Sequence, residues 1–201
     1  GNGQGVEQDF KEAVKWYRKA ADQGYAHAQF NLGMMYAKGE GVDKNYKEAF
    51  IWFRKLMEKE DLDPSFHTGL GWGLYLIEQN DLAMEHGLKA LKGNSKNATA
   101  HANVGLLHVL KRDLDNAMPS YRQAANLRGK RPLDKLAIQD LLDLNKKHPE
   151  IAEAHFALGY CYGEFGDKKS ALSHYGKYIA ALKNGKFEMF IIGESLIYYN
   201  Y

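Results

Sequence analysis

A segment near the start of the chain is repeated 36 residues later with few changes. The sequence GQGV at residues 3–6 returns as GEGV at residues 39–42. The motifs KEA and WYRK that follow the first copy also follow the second, as KEA and WFRK, at the same offset. Agreement of three separate motifs in one register indicates an internal repeat, so the chain is expected to fold as a row of similar units.

A second series of motifs starts after Pro64. Its glycines are Gly71, Gly105 and Gly159, and an alanine stands twelve residues beyond each of them. Apolar and small residues recur every three or four positions within each unit, which is typical of helices with one buried face. Each unit is therefore predicted to be two helices joined by a polar turn, with an aspartate capping the second helix. The predicted caps are Asp81, Asp113 and Asp167.

The glycine is predicted to lie where the second helix comes too close for a side chain, directly opposite the alanine. One helix pair cannot bury its apolar face alone, so neighbouring pairs must stack. The same reasoning predicts one amphipathic helix for residues 132–147, where leucines recur after Pro132, and a further helix or cap for residues 187–201.

These motifs resemble the tetratricopeptide repeat, which places W-x-x-L-G-x-x-Y before A-x-x-x-F in a 34-residue unit. The N-terminal pair resembles the related Sel1-like repeat, because Gly33 and Ala49 are sixteen residues apart and the GEGV loop supplies the extra length. The resemblance implies an all-α fold, a right-handed α-α superhelix of antiparallel helix pairs. Its implied divisions are Sel1-like repeats at 1–60 with the first one truncated, two tetratricopeptide repeats at 61–131, an extra helix at 132–150, a tetratricopeptide repeat at 151–184 and a C-terminal helix or cap at 185–201, all in one continuous solenoid.

The chain departs from the tetratricopeptide pattern at several positions. Histidine replaces the consensus tryptophan at His67, His101 and His155, and Gly87 stands where an aromatic residue is usual. Equivalent positions in successive repeats favour a packing role for these histidines. In the first repeat the apolar face of a second helix, formed by Phe10, Val14 and Tyr17, is expected to need cover from a first helix.

Several kinds of site are excluded or disfavoured. The glycine motifs lack the flanking strands of a dinucleotide-binding fold, and 27 basic against 25 acidic residues leave too little charge for a nucleic-acid interface. His101 and His108 share a helix face but are about 10 Å apart along it, so no metal ion or other cofactor is predicted. Cys161 is predicted to be a buried structural thiol. No stretch is apolar over the roughly 20 residues that a membrane-spanning helix needs.

The predicted function is that of a protein-interaction scaffold or adaptor without enzymatic activity. First helices line the inner surface of such repeat arrays, so a groove for a peptide or helix is predicted there. Its predicted residues are Phe30, Met34, Thr68, Trp72, Tyr75, Leu106, Val109, Phe156 and Tyr160. The resemblance implies a protein or peptide partner within a multiprotein assembly, in the periplasm or cytoplasm of a bacterium. The alternatives are an accessory or catalytic domain of an envelope hydrolase system, which rests on the many His, Asp and Glu residues, and an RNA-binding helical repeat.

Overall fold

A computed structural model describes residues 3–60, 62–128, 135–164, 166–183, 187–192 and 195–200. The chain divides into two compact units, Gly1–Asn103 and Val104–Tyr201. The helices that lie within the first unit are α1 (Gly3–Asp22), α2 (Ala26–Lys38), α3 (Tyr46–Met57), α4 (Phe66–Leu76) and α5 (Asn80–Gly93). Helix α6 (Ala98–Leu110) begins in the first unit and ends in the second. The second unit continues with α7 (Leu114–Arg128), α8 (Lys135–Lys147), α9 (Glu153–Glu164), α10 (Lys168–Leu182), β1 (Phe187–Ile192) and β2 (Ser195–Asn200).

Helices that are consecutive in the sequence pack as pairs. In the first unit α2 packs on α3 and α4 on α5, while α1 also contacts α2. In the second unit α9 packs on α10, and α8 and α7 both contact α9. The predicted helical-repeat fold is therefore confirmed within each unit. The additional helix after Pro132 is also confirmed over the range of α8, and its Leu141 and Leu144 are buried; residues 129–134 lie outside the described part of the chain.

The close approach at each first-helix glycine is confirmed, but the residue opposite it differs from the prediction. A Cβ atom built on Gly33 would lie 2.5 Å from the Phe53 ring. The second-unit glycines face Tyr121 and Tyr175 in the same way, at 3.1 Å and 2.7 Å respectively. In these three pairs the ring one helical turn beyond the alanine covers the glycine. The alanine is therefore not the group nearest the glycine in these pairs, because a flat ring fits against bare backbone and fills more of the gap than a methyl group does.

The pair α4–α5 is the exception, because Gly87 replaces the ring. Here the two backbones approach each other directly: a Cβ atom on Gly71 would lie 3.2 Å from the carbonyl oxygen of Ala83 and 3.3 Å from the amide nitrogen of Gly87. The predicted glycine–alanine contact is confirmed in this pair, where Ala83 supplies the nearest atom. The absence of a side chain at both glycines allows the closer approach.

Two of the three predicted aspartate caps are confirmed. Asp113 accepts a hydrogen bond from the amide of Asn116, and Asp167 accepts one from the amide of Ser170. In α5 the N-cap residue is Gln79, whose side chain makes no capping hydrogen bond, and Asp81 lies inside the first turn. The prediction for Asp81 was wrong because the capping position lies eight residues after the repeat glycine, and Gln79 occupies it in this unit.

The two glycine loops of the 36-residue repeat do not have the same structure. Gly39 and Gly41 adopt left-handed conformations with φ of 78° and 71°, and the amide of Gly39 bonds to the carbonyl of Met35 at the end of α2. The first copy, which the repeat predicted to be a similar loop, is helical from Gly3 onward. Glycine permits both conformations, so the motif by itself does not select the loop.

The C-terminal segment is also different from the predicted helix. Residues Phe187–Ile192 and Ser195–Asn200 form two antiparallel strands, with Phe187 opposite Asn200 and Ile192 opposite Ser195. The segment is rich in isoleucine, phenylalanine and tyrosine, which favour strands because they suit a pleated surface. The apolar residues that predicted a helix in this segment therefore also favour a strand along most of its length.

Candidate functional site

Two sides of helix α4 pack against neighbouring helices. Gly71 faces α5, as described above. Gly69 and Gly73 face the α2–α3 pair, where a Cβ atom on Gly69 would lie 2.6 Å from the Phe30 ring and one on Gly73 would lie 2.6 Å from the Phe53 ring. The third side carries Thr68, Trp72 and Tyr75, which are all predicted groove residues.

Thr68, Trp72 and Tyr75 form a part-exposed polar and aromatic strip along α4. Thr68 Oγ1 accepts a hydrogen bond of 2.8 Å from the side-chain amide of Asn97, just before α6 begins. The rings of Trp72 and Tyr75 lie 5.4 Å apart between centroids. Each of the three side chains is half-buried, so the strip is both anchored in the fold and accessible to another molecule.

Two other predicted groove residues of the first unit serve mainly as packing. Phe30 contacts Gly69, and its ring lies 6.1 Å from that of Phe66. The sulfur of Met34 lies 3.1 Å from the Cβ position of Gly73. Both side chains therefore hold α2 against α4, so these two predicted groove positions pack on an adjacent repeat.

The predicted residues of the second unit divide in a similar way. Leu106 and Val109 are 2% and 0% exposed, so they belong to the core and cannot touch a partner in this structure. Phe156 packs edge-on against the rings of Tyr175 and Tyr178 at 5.4 Å and 5.2 Å. Phe156 and Tyr160 are both half-buried, so each keeps an accessible part.

Tyr160 has a polar neighbour that the sequence did not reveal. Its hydroxyl group is hydrogen-bonded to Arg122 of α7, an interaction that raises the pKa of Arg122, while burial raises the pKa of Tyr160. Glu164 lies close enough to influence both groups. The two residues belong to different repeats, so no motif at fixed spacing could have indicated the contact.

The face of α1 that the sequence predicted to need cover is partly open. Val14 is buried, but Phe10 and Tyr17 remain partly exposed. Trp16 is 61% exposed, whereas Trp52, its equivalent 36 residues later, is 3% exposed. Trp52 is buried in an apolar cluster with Val14 and Ala21 of α1 and with Leu32 and Met35 of α2.

Two histidine pairs occupy equivalent positions in two repeats. The Nδ1 atoms of His67 and His86 lie 3.1 Å apart across α4 and α5, and those of His155 and His174 lie 3.1 Å apart across α9 and α10. The predicted packing role of His67 and His155 is thus confirmed. His101, the third member of the series, instead contacts the carbonyl oxygen of Ser95 at 3.0 Å.

Burial is the main influence on the titration of these groups. It lowers the pKa of His86 to about 4 and that of His174 to about 4, with the partner histidine of each pair adding to the shift. Burial acts in the opposite sense on the carboxyl group of Asp140 in α8, where it raises the pKa to about 7 with a contribution from Asp143. Burial likewise raises the pKa of Cys161 to about 12, which agrees with a structural, unreactive thiol.

Acidification is expected to destabilise the protein through the histidine pairs. The unfolded chain binds more protons than the folded one between the ordinary histidine pKa of 6.5 and about 4. The contribution of the two histidine pairs to the free energy of unfolding should therefore be complete above pH 6.5 and decrease as the pH falls toward 4. Urea titrations at a series of pH values would measure this for the wild type and for the double variant His86→Ser, His174→Ser.

Asp140 has the opposite effect on the pH dependence of the free energy of unfolding. The double variant is therefore needed to isolate the contribution of the histidines. The raised pKa of Asp140 favours the folded state as the pH falls below about 7. Lys89, Glu85 and Lys177 also act on the histidines, but they remain in the variant. A pH dependence that is the same in wild type and variant would contradict the assignment to the histidine pairs.

In the described part of the chain, no group of three or more His, Cys, Asp or Glu side chains comes together as a potential metal site. Within the same residues, no helix combines the length and apolarity needed to cross a lipid bilayer. The candidate site is thus an accessible surface of the repeats and not a pocket of converging reactive groups.

In each helix pair, residues of the second helix pack against a glycine of the first helix. The recurrence of such pairs along one chain defines a helical-repeat protein. The Sel1 repeat model matches residues 1–25, 26–60 and 152–177, and the tetratricopeptide repeat model matches residues 98–131. The chain therefore contains three segments that match the Sel1 repeat and one that matches the tetratricopeptide repeat. Residues 152–177 match the Sel1 model, although the twelve-residue spacing from Gly159 to Ala171 predicted a tetratricopeptide repeat there.

Solved structures show the same fold. A crystal structure of MamA protein is 19% identical, with a TM-score of 0.53 over 92% of this chain and 90% of that one. Another crystal structure of MamA is 18% identical, with a TM-score of 0.51 over 88% and 91%. A Sel1 repeat protein from Oxalobacter formigenes is 29% identical over 89% of this chain and 82% of that one, with a TM-score of 0.46. Among curated proteins, none matches this sequence.

The family-model matches bear on the general class of protein. Sel1 and tetratricopeptide repeats mediate protein interactions, and they are typically non-catalytic scaffolds. The repeat matches therefore support a protein-interaction scaffold in general.

Proposed function

We propose that this protein binds a segment of another protein, a peptide or a helix, on the accessible side of its first helices. The observation that carries the proposal is the strip of Thr68, Trp72 and Tyr75 on α4. Tryptophan and tyrosine are enriched among residues that dominate binding energies, because they combine a large apolar area with a polar atom. A part-exposed pair of such rings, held 5.4 Å apart on a rigid helix, is already arranged for contact.

The chemistry of the strip favours an apolar anchor with polar neighbours. Trp72 and Tyr75 offer ring faces, while Thr68 and Asn97 offer hydroxyl and amide groups beside them. A partner segment with a leucine, methionine or aromatic side chain would bury apolar area against the rings. Its backbone would find hydrogen-bonding groups at the edge of the strip.

The second unit offers a separate contact of a different kind. Tyr160 and Arg122 present a hydroxyl group and a guanidinium group, with Glu164 nearby. We propose that this patch binds polar or acidic groups of the partner. A scaffold with two contacts of different chemistry could hold its partner within a larger assembly.

The test uses peptides selected from a displayed library against the wild-type protein, with affinities measured by fluorescence anisotropy. Replacing Trp72 by alanine is expected to weaken binding by about 30-fold, since a central anchor contributes about 2 kcal/mol. Tyr160→Ala should weaken binding for those peptides that carry acidic groups, and the double variant should lose both contributions.

Leu88→Ala is the matched control, because Leu88 is an exposed apolar residue on the second helix α5. It should leave the affinity unchanged. Circular dichroism would verify that all variants keep their helix content. Selected peptides that bind the Trp72→Ala, Tyr160→Ala double variant as tightly as the wild type would exclude both surfaces.

A further inference from the structure

The two histidine pairs match each other more closely than packing alone requires. His67 and His155 are 88 residues apart, and so are His86 and His174. Each pair joins the first helix of a repeat to the second helix through two Nδ1 atoms that are 3.1 Å apart. The lysines that act on the two pairs, Lys89 and Lys177, are also 88 residues apart.

Two imidazole nitrogens at this distance suit a shared metal ion. Nitrogen ligands bind such ions at about 2.0–2.1 Å, so two of them 3.1 Å apart subtend about 95–102° at the ion. That angle is close to the right angle between neighbouring ligands in square-planar and octahedral complexes. Imidazole is a preferred ligand of nickel, copper and zinc, and square-planar or tetragonal geometry with nitrogen ligands is typical of Cu²⁺ and Ni²⁺.

The protonation states also favour this assignment. In a hydrogen bond between the two Nδ1 atoms, one imidazole must carry its proton on Nδ1 and the other on Nε2. With an ion between them, both rings carry the proton on Nε2 and direct a lone pair at the ion.

We propose that each histidine pair, His67 with His86 and His155 with His174, binds a divalent transition-metal ion of the Ni²⁺ or Cu²⁺ type that links the two helices of its repeat. Water completes the coordination on the side of His67 and of His155, which are both part-exposed. The ion thereby fastens a helix pair from the surface, and two repeats of the array become metal-responsive.

The surroundings of the pairs set the strength of binding. Lys89 opposes a nearby cation, but its ammonium group is paired with Glu85 at 2.6 Å, and Glu85 lies close enough to influence both histidines of the first pair. At the second pair Lys177 acts on both rings, and the ring of Tyr162 stacks on His174 at 5.4 Å. With two protein ligands each, both sites are expected to be readily emptied by a chelator.

The remaining repeat of this series, which contains α6 and α7, provides a natural control. There the equivalents of the pair are His101 and Ser120, and they have other partners: His101 contacts the carbonyl oxygen of Ser95, and Ser120 donates to the carbonyl oxygen of Asn116. The substitutions His86→Ser and His174→Ser therefore copy a residue that the fold already accepts at this position. His101→Ser removes a histidine at the same repeat position without touching either pair.

Equilibrium dialysis against Ni²⁺ tests the proposal, after treatment of the protein with a chelator. The wild type and His101→Ser should each bind two ions per chain, each single pair variant one, and the double variant none. Thermal unfolding of the wild type should shift upward with Ni²⁺ and return with EDTA, and the double variant should show no shift. Circular dichroism would confirm that the variants are folded.

Nitrogen-15 NMR of the imidazole rings provides an independent measurement. The Nδ1 signals of the four paired histidines should change on addition of Ni²⁺, while those of His101 stay the same. Ni²⁺ binding that is unchanged in the double variant, or a wild type that binds no ion, would overturn the proposal. The peptide-binding proposal is unaffected by either result, because its residues lie on other sides of the helices.

Discussion

Replacing Phe53 by alanine is expected to lower the free energy of unfolding by about 3–5 kcal/mol. The Phe53 side chain is fully buried, and its ring occupies the space beside two glycines of different helices, Gly33 of α2 and Gly73 of α4. Glycines have no side chains that could move into the cavity, so the site collapses poorly and the cost lies at the upper end of the range. Urea unfolding followed by circular dichroism would measure the loss.

The matched control is Ile51→Ala on the same helix. Ile51 is 38% exposed, so its truncation should cost less than about 1 kcal/mol. Equal costs at the two positions would show that Phe53 does not hold α2, α3 and α4 together.

The effect of Gly33→Ala on stability is expected to change sign when Phe53 is removed, and this provides a sharper test of Phe53. In the wild type Gly33→Ala places a methyl carbon 2.5 Å from the ring, so the substitution should destabilise the protein. In the Phe53→Ala background the ring is absent, and the same substitution should stabilise by about 1 kcal/mol through helix propensity and filling of the cavity. Two substitutions with no contact would instead give additive changes.

Replacing Gly41 by alanine is expected to cost about 2–5 kcal/mol, from two separate causes. A φ of 71° costs an L-residue about 1–2 kcal/mol. In addition, the new Cβ atom would overlap the backbone of α1 at Phe10 and Lys11, which cannot rotate away as a side chain can. Overpacking of this kind costs about 1–3 kcal/mol.

Gly166→Ala separates the two causes. Gly166 has a φ of 76°, close to that of Gly41, but nothing lies within 4 Å of its Cβ position. It should therefore cost only the conformational part, about 1–2 kcal/mol. Hydrogen exchange should also show faster opening of α1 in Gly41→Ala and no such change in Gly166→Ala. Similar losses and similar exchange for the two variants would contradict the contact between the loop and α1.

The extent to which the candidate site could be predicted differs between the two units. Trp72 and Tyr75 were identified correctly as side chains on an accessible side of a first helix, because their positions relative to Gly71 are set by helix geometry. Leu106 and Val109 occupy similar positions in the next repeat but are buried. The burial of a helix side depends on which neighbouring helices cover it, and sequence spacing does not specify them.

The sequence alone determined the repeat, the helix pairs and the close approach at each glycine, because these follow from local periodicity and from the size of single residues. The tertiary structure decided which side chain fills each approach: Phe53, Tyr121 and Tyr175 in three pairs, and bare backbone at Gly87 in the fourth. It also decided the pairing of His67 with His86 and of Tyr160 with Arg122, and the strands at the C-terminus. Contacts between helices depend on how distant parts of the chain pack together, and so does the choice between helix and strand for a short apolar run. Local periodicity therefore does not determine either of them.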